Sequence, residues 1–162
     1  MYLKEVIIDA SPLIALFKSQ QAYLLNQLFS QVLVPEAVWN EVIENKYDDL
    51  ASQGIVNVNW LKKVKINKIP DVISQRYLGK GESEVLSFAL NHPTIRAMLD
   101  DHAARQCAKA LGISTLGTGG MLILAKQRGI LLSVADALEK LRAAGMWISD
   151  DLVKLLTTKA GE

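Results

Sequence analysis

Short aliphatic runs alternate with stretches of helical spacing along this chain. Residues 6–8, VII, are β-branched and end at Asp9, as a buried parallel strand would. Ser11-Pro12 then reads as an N-cap and a first helical position, so strand one runs straight into helix one. A second apolar run covers 32–34, and Pro35 opens a helix through about Lys46. Residues 55–69 read as extended segments with a basic surface. Gly79-Lys80-Gly81 punctuates the chain, and a helix over about 82–90 stops near Pro93. Residues 95–99 form the next strand, ending at Asp100-Asp101. A helix over about 102–111 is closed by Gly112, and 113–116 is a further strand. Gly117-Thr118-Gly119-Gly120 leads into a very apolar helix ending at Gly129. Ser133, with Asp136 three residues on, and Ser149 cap the last two helices. Strands alternating with helices predict an α/β three-layer sandwich around a mostly parallel sheet.

No repeat, low-complexity segment or linker interrupts this pattern. The expectation is one domain over 1–162, with a C-terminal helix at about 150–157 packed on it. Half of the residues are hydrophobic and 22% are charged, enough for a large core and against long disorder. The net charge is +1, so affinity for a polyanion has to come from a local patch. Cys107 is the single cysteine, in an alanine-rich helical stretch, and reads as a small core residue. Two histidines and one cysteine are too few for the usual zinc sites. No apolar stretch has the length of a membrane span, and the first residues lack the pattern of a secretory signal. A cytoplasmic protein with no membrane association is expected.

The acids carry the chemistry. In parallel α/β sheets, sites lie off the carboxyl ends of strands, and two predicted strand ends carry Asp9 and Asp100-Asp101. A carboxylate ending a buried strand is costly unless it is paired or bound to a metal, although Asp9 can also cap helix one. Asp101 has a rival role as N-cap of the helix that begins at His102. Glu82 continues the stripe of Val85, Leu86 and Ala89, whereas Glu84 lies roughly 200° round the helix from it. The inward role therefore falls to Glu82, against a plain first-turn acid. Glu41 edges the face of Ala37 and Val38, with a surface acid as the alternative. Asp150 and Asp151 read as ordinary helix-start acids. Carboxylates gathered at one end of a sheet repel, and a divalent cation removes that conflict. With only oxygen donors, Mg²⁺ or Mn²⁺ suits them, and phosphodiester hydrolysis suits the ion.

Five segments then occur in a telling order: IIDASPLI with Asp9, VPEAVWNEV with Glu41, GKGESEVLSFAL with Glu82, MLDDHAARQCAKALGI with Asp100 and Asp101, and LGTGGMLILAKQRG with Thr118. Together they resemble the VapC-like branch of the PIN-domain nucleases, over nearly the whole chain. The resemblance implies a parallel sheet flanked by helices and cleavage of single-stranded RNA at an acidic pocket. It implies Asp9, Glu41, Glu82, Asp100 and Asp101 as catalytic acids. Of these, Asp9, Glu82 and Asp100 or Asp101 would hold Mg²⁺ or Mn²⁺. Glu82 stands where aspartate is common. Ser11 and Thr118 match supporting hydroxyl positions, with helix capping as the rival role of each. The resemblance also implies a toxin neutralised by a small antitoxin, and a homodimer.

From Trp60 to Lys80, six basic residues (Lys62, Lys63, Lys65, Lys68, Arg76 and Lys80) face one acid, Asp71. With Trp60 and Tyr77 as stacking faces they form a candidate RNA surface, against a solvated lysine edge that blunts strand pairing. Arg105, four residues beyond Asp101, is placed to pair with that acid or touch a phosphate. The helix around 121–125 is a core helix or a dimer seam. Two other readings compete. One is a catalytically weak or inactive PIN-like module that binds RNA or protein. The other is a phospho-aspartate protein, but an aspartate-nucleophile phosphatase needs an acid where Ser11 stands.

Overall fold

The computed structural model describes residues 3–44 and 50–162. The chain enters through β1 (Leu3–Ile8), α1 (Ala10–Lys18), α2 (Tyr23–Leu28), β2 (Phe29–Pro35) and α3 (Glu36–Ile43). Then follow α4 (Leu50–Asn57), β3 (Leu61–Val64), the single turn α5 (Asp71–Ser74), α6 (Lys80–Asn91) and β4 (Arg96–Met98). It closes with α7 (His102–Ala110), β5 (Thr115–Leu116), α8 (Thr118–Gln127), α9 (Val134–Ala143) and α10 (Asp150–Lys159). The five strands are all parallel and lie in the order β3-β2-β1-β4-β5. This is the three-layer α/β arrangement expected from the alternation of runs.

The strand order fixes where a site can form. From the central β1 the chain winds outward to β2 and β3, then returns to β4 and β5 on the other side. The reversal falls between β1 and β4, and in parallel α/β sheets sites form near such a point, above the carboxyl ends of the strands. Ile8 pairs with Met98, and the Asp9 N–H continues the ladder to the Met98 carbonyl at 3.0 Å. Asp9 and the Asp100-Asp101 pair are thus brought to neighbouring strand ends.

The core explains why these runs fold this way. Val6, Ile7 and Ile8 are fully buried, as are Ala97, Met98 and Leu99, since helices cover the sheet on both faces. α6 is buried on more than one stripe: Ser83, Glu84, Val85, Leu86, Ser87 and Ala89 are all inside. Ser87 satisfies its hydroxyl by donating to the Ser83 carbonyl at 2.7 Å. α8 joins the core through Met121, Leu122 and Ala125. Gly119 leaves room for α10, because a Cβ there would stand 2.6 Å from Leu156 Cδ1. Cys107 is buried and free.

Several local expectations need correction. Ser11 is not the cap of helix one. Asp9 is the N-cap, its Oδ1 accepting from the Ala10 N–H, and Ser11 lies inside α1. Pro12 is tolerated there because first-turn amides have no helical acceptor. Thr118 likewise opens α8 inside the helix, after Gly117 as N-cap. Residues 55–69 are not extended throughout. α4 runs to Asn57, its Ala51 and Ile55 buried, and only Leu61–Val64 is strand. The apolar spacing of α4 begins at Leu50, beyond the stretch read as extended. The end of the helix after Pro35, at Lys46, lies outside the described residues. Among the described residues, no helix is long and apolar enough to cross a membrane.

Candidate active site

Asp9 is the most constrained acid. It is 5% exposed at the end of β1, where its side chain caps α1. Burial raises its pKa from 3.8 to about 7. The Ala10 N–H bond opposes the rise, while the charges of Glu82, Glu41 and Asp101 add to it. Those three repulsions place acids from α3, the start of α6 and the end of β4 in the field of one buried carboxyl. Glu41 is also raised, by partial burial and then by Glu82.

A glycine sits at the meeting point. A Cβ on Gly81 would stand 3.1 Å from Val38 Cγ2, 3.4 Å from Asp9 Oδ1 and 3.9 Å from Glu41 Oε2. The Gly79-Lys80-Gly81 turn, read from sequence as punctuation, thus lets α6 begin against two carboxylates. Glu82, half-buried, turns one oxygen back to the Gly79 N–H at 2.9 Å. Glu84 does different work. It is 7% exposed and accepts from the Ala37 N–H at 3.0 Å, tying α6 to the first turn of α3, the helix that carries Glu41. A single apolar stripe gives the inward role to Glu82, but Glu84 is the more deeply buried of the two. The small Ser83 and Ser87 beside it are the signal of a helix buried on several sides.

The aspartate pair divides its tasks. Asp100 accepts from the Thr118 N–H at 2.8 Å and from Thr118 Oγ1 at 2.5 Å, so the buried threonine holds the carboxylate. Asp101 is the N-cap of α7, accepting from the Ala104 N–H at 2.9 Å, and it adds to the field at Asp9. Arg105 Nη1 donates to the Leu99 carbonyl at 3.1 Å rather than closing on Asp101. Over Gly117 the same atom and Asp100 Oδ1 approach one point, at 3.0 and 3.3 Å from a Cβ placed there. Asp150 pairs with Arg142 at 2.9 Å, as befits an ordinary surface acid.

A groove of about 830 Å³ opens beside these acids. Ser11 and Ala10 of α1, Asn40 and Glu41 of α3, Lys80 and Gly81, and Gly145 and Met146 after α9 all face it. Lys80 therefore lies at the acids. Lys62 and Lys63 are exposed on β3, the outermost strand on that side, with Lys63 Nζ 5.7 Å from the centre of the Trp39 ring. Lys65, Lys68 and Arg76 are exposed in the segments that follow β3. Trp60 is half-buried, with Phe17 stacked on one side of its ring at a centroid distance of 6.3 Å. Tyr77 is more open. It is 92% exposed and held at φ 54°, a backbone conformation uncommon outside glycine and asparagine.

All the donors that converge here are oxygens, the set preferred by Mg²⁺ or Mn²⁺. The mutual repulsion of Asp9, Glu41, Glu82 and Asp101 is relieved by added positive charge. The residues fit such an ion by chemistry and electrostatics. The gathering is loose, however: among the described residues no three acidic, histidine or cysteine side chains stand close enough to form a cation site.

No curated protein matches the chain significantly. A family profile described as the PIN domain matches residues 5–162, a span that includes every acid described above. With that match over nearly the full length, and with acids at the strand reversal of a parallel sheet, the chain belongs to the PIN-domain family, a family of nuclease type.

Proposed function

We propose that this protein is a Mg²⁺- or Mn²⁺-dependent endoribonuclease that hydrolyses phosphodiester bonds of single-stranded RNA. The observation that carries the reading is the buried Asp9 carboxyl, raised to about 7 at the strand reversal with Glu82, Glu41 and Asp101 around it. Structural carboxylates are normally paired, and a repelled one in a crevice marks a functional site. Asp9, Glu82 and Asp100 or Asp101 would hold the cation. When bound, it supplies a water activated at neutral pH and polarises the phosphoryl oxygen. Glu41 lies on the groove side of the acids and orients the attacking water. Asp9, whose burial favours its protonated form in the metal-free protein, would give up that proton as the cation binds, and Thr118 keeps Asp100 fixed through two hydrogen bonds. Lys80 at the groove, Lys62, Lys63, Lys65, Lys68 and Arg76 beyond it, and the exposed Tyr77 ring suit an unpaired strand. The likeness to VapC-like proteins adds a role as a toxin with a small antitoxin, in a cytoplasmic homodimer.

The test is cleavage of a labelled unstructured RNA with and without Mn²⁺. The parent chain should cut only with the ion, and Asp9→Asn should slow cutting on the order of a hundredfold or more. Equal cutting by Asp9→Asn would overturn the reading. A second reading, a PIN-like module that binds RNA or protein without cutting, draws on the lack of a three-acid cluster among the described residues. RNA binding without Mn²⁺ affinity would select it.

A further inference from the structure

A second cleft, of about 320 Å³, lies along α7, apart from the groove beside Asp9. It is lined by His102, Arg105, Gln106 and Lys109 of α7 and by Ile113 and Thr115 on the β5 side. The four α7 residues fall at i, i+3, i+4 and i+7, on one face of the helix. No lining residue is acidic, whereas the groove beside Asp9 carries Glu41 and Glu44. β5 is the sheet's outermost strand on this side.

Arg105 joins the cleft to the acidic centre. Its Nη1 donates to the Leu99 carbonyl, just before Asp100, and approaches Asp100 across Gly117. Hence one guanidinium borders both the acids and the cleft. A guanidinium has five N–H donors in a planar fork suited to phosphate. Gln106 Nε2 lies 3.2 Å from His102 Nε2, so the two polar ends meet within the cleft.

The need for such a place follows from charge. Acids gathered without compensation repel a polyanion, and the net charge of +1 gives no general attraction. The basic run lies on β3 and the segments after it and reaches the groove at Lys80. A strand held there alone is anchored on one side of the scissile bond and free on the other. We infer that the α7 cleft binds the phosphodiester backbone of the RNA strand after it has crossed the acids. Arg105 and Lys109 would be the phosphate contacts, and the strand would turn from the acids at the carboxyl ends of the sheet along the exposed face of α7, from His102 toward Lys109 beside β5. This inference rests on the proposed RNA substrate.

The test is fluorescence anisotropy of a labelled single-stranded RNA in metal-free buffer over a range of salt. It is paired with Mn²⁺-dependent cleavage kinetics. Lys109→Glu changes an exposed residue outside the acidic centre, and its thermal unfolding should match the parent's. The variant should bind RNA on the order of tenfold more weakly, with a salt slope smaller by about one. In cleavage it should raise KM and leave kcat near the parent value, and Lys109→Arg should restore KM. If the parent binds and cuts RNA while Lys109→Glu matches it in affinity and salt slope, the cleft is not on the RNA path and the nuclease reading stands. If Lys109→Glu weakens binding but the parent does not cut, the cleft is supported and the nuclease reading fails. A parent chain that binds no RNA overturns both.

Discussion

At the starts of α1 and α9 a carboxylate lies beside helix amides, yet the two are driven in opposite directions. At α9 the Glu162 carboxylate accepts from Lys126 Nζ at 2.8 Å, from the Ala135 N–H at 3.0 Å and from the Val134 N–H at 2.6 Å. The Lys126 bond first, and the backbone bonds after it, lower the pKa from 4.5 to about 2. At α1 the Asp9 carboxyl has the Ala10 N–H, but burial first, and the three neighbouring acids after it, raise its pKa to about 7. Both acids enjoy the favourable end of a helix dipole, worth well under the cost of burying an unpaired charge. Glu162 is a fastener between α8 and α9. Asp9 is a charge held where it is not wanted unless something positive joins it.

The largest expected departure comes from removing the frustrated charge. In the metal-free protein Asp9 is neutral in folded and unfolded chains below pH 4. As pH rises, the unfolded chain ionises first, so stability is lost between about pH 4 and pH 7. Asp9→Asn removes that loss. By urea unfolding in chelator, the variant should match the parent near pH 4 and exceed it by up to about 4 kcal/mol at pH 8. A difference independent of pH would mean that neither burial nor the neighbouring acids hold the Asp9 pKa up.

Glu84 sharpens the contrast from the other side, as a buried acid with an assigned amide. Glu84→Ala strips the acceptor from Ala37 and should cost about 2 kcal/mol, lowering the melting midpoint by about 6 °C. Glu84→Gln keeps an acceptor and should stay closer to the parent. If alanine melts like the parent, the tie between α3 and α6 is not what sets Glu41 against Gly81. The smallest effect belongs to Glu162→Gln. Its lowered pKa means a contribution present above pH 4.5 and lost as pH falls through about 2. A small drop in melting temperature at pH 6 should therefore vanish near pH 2 and shrink in high salt.

Much of this was readable from the residues alone, and the losses have physical causes. The VII run ending in Asp9 and the strand before Asp100-Asp101 were legible because buried parallel strands are unbroken aliphatic runs. Their adjacency was not, because strand order depends on the path between strands. α4 was missed because its start lies outside the segment whose basic surface suggested extension. Ser11-Pro12 looked like a helix start, but the buried Asp9 takes the cap two residues earlier. Glu84 was passed over because its burial depends on what covers the second side of α6. Phe17, far from Trp60 in the chain, stacks on one side of its ring, a contact that residue spacing does not reveal.

The claim beneath all of this is that Asp9, Glu82 and their neighbours act as one centre. Calorimetric titration of Mn²⁺ into the metal-free parent, Asp9→Asn and Glu82→Gln at pH 7.5 tests it most directly. The parent should bind with saturable heat, and each variant should weaken binding on the order of tenfold or more. A parent that takes up no Mn²⁺, or variants that bind it as the parent does, would contradict a shared acidic centre.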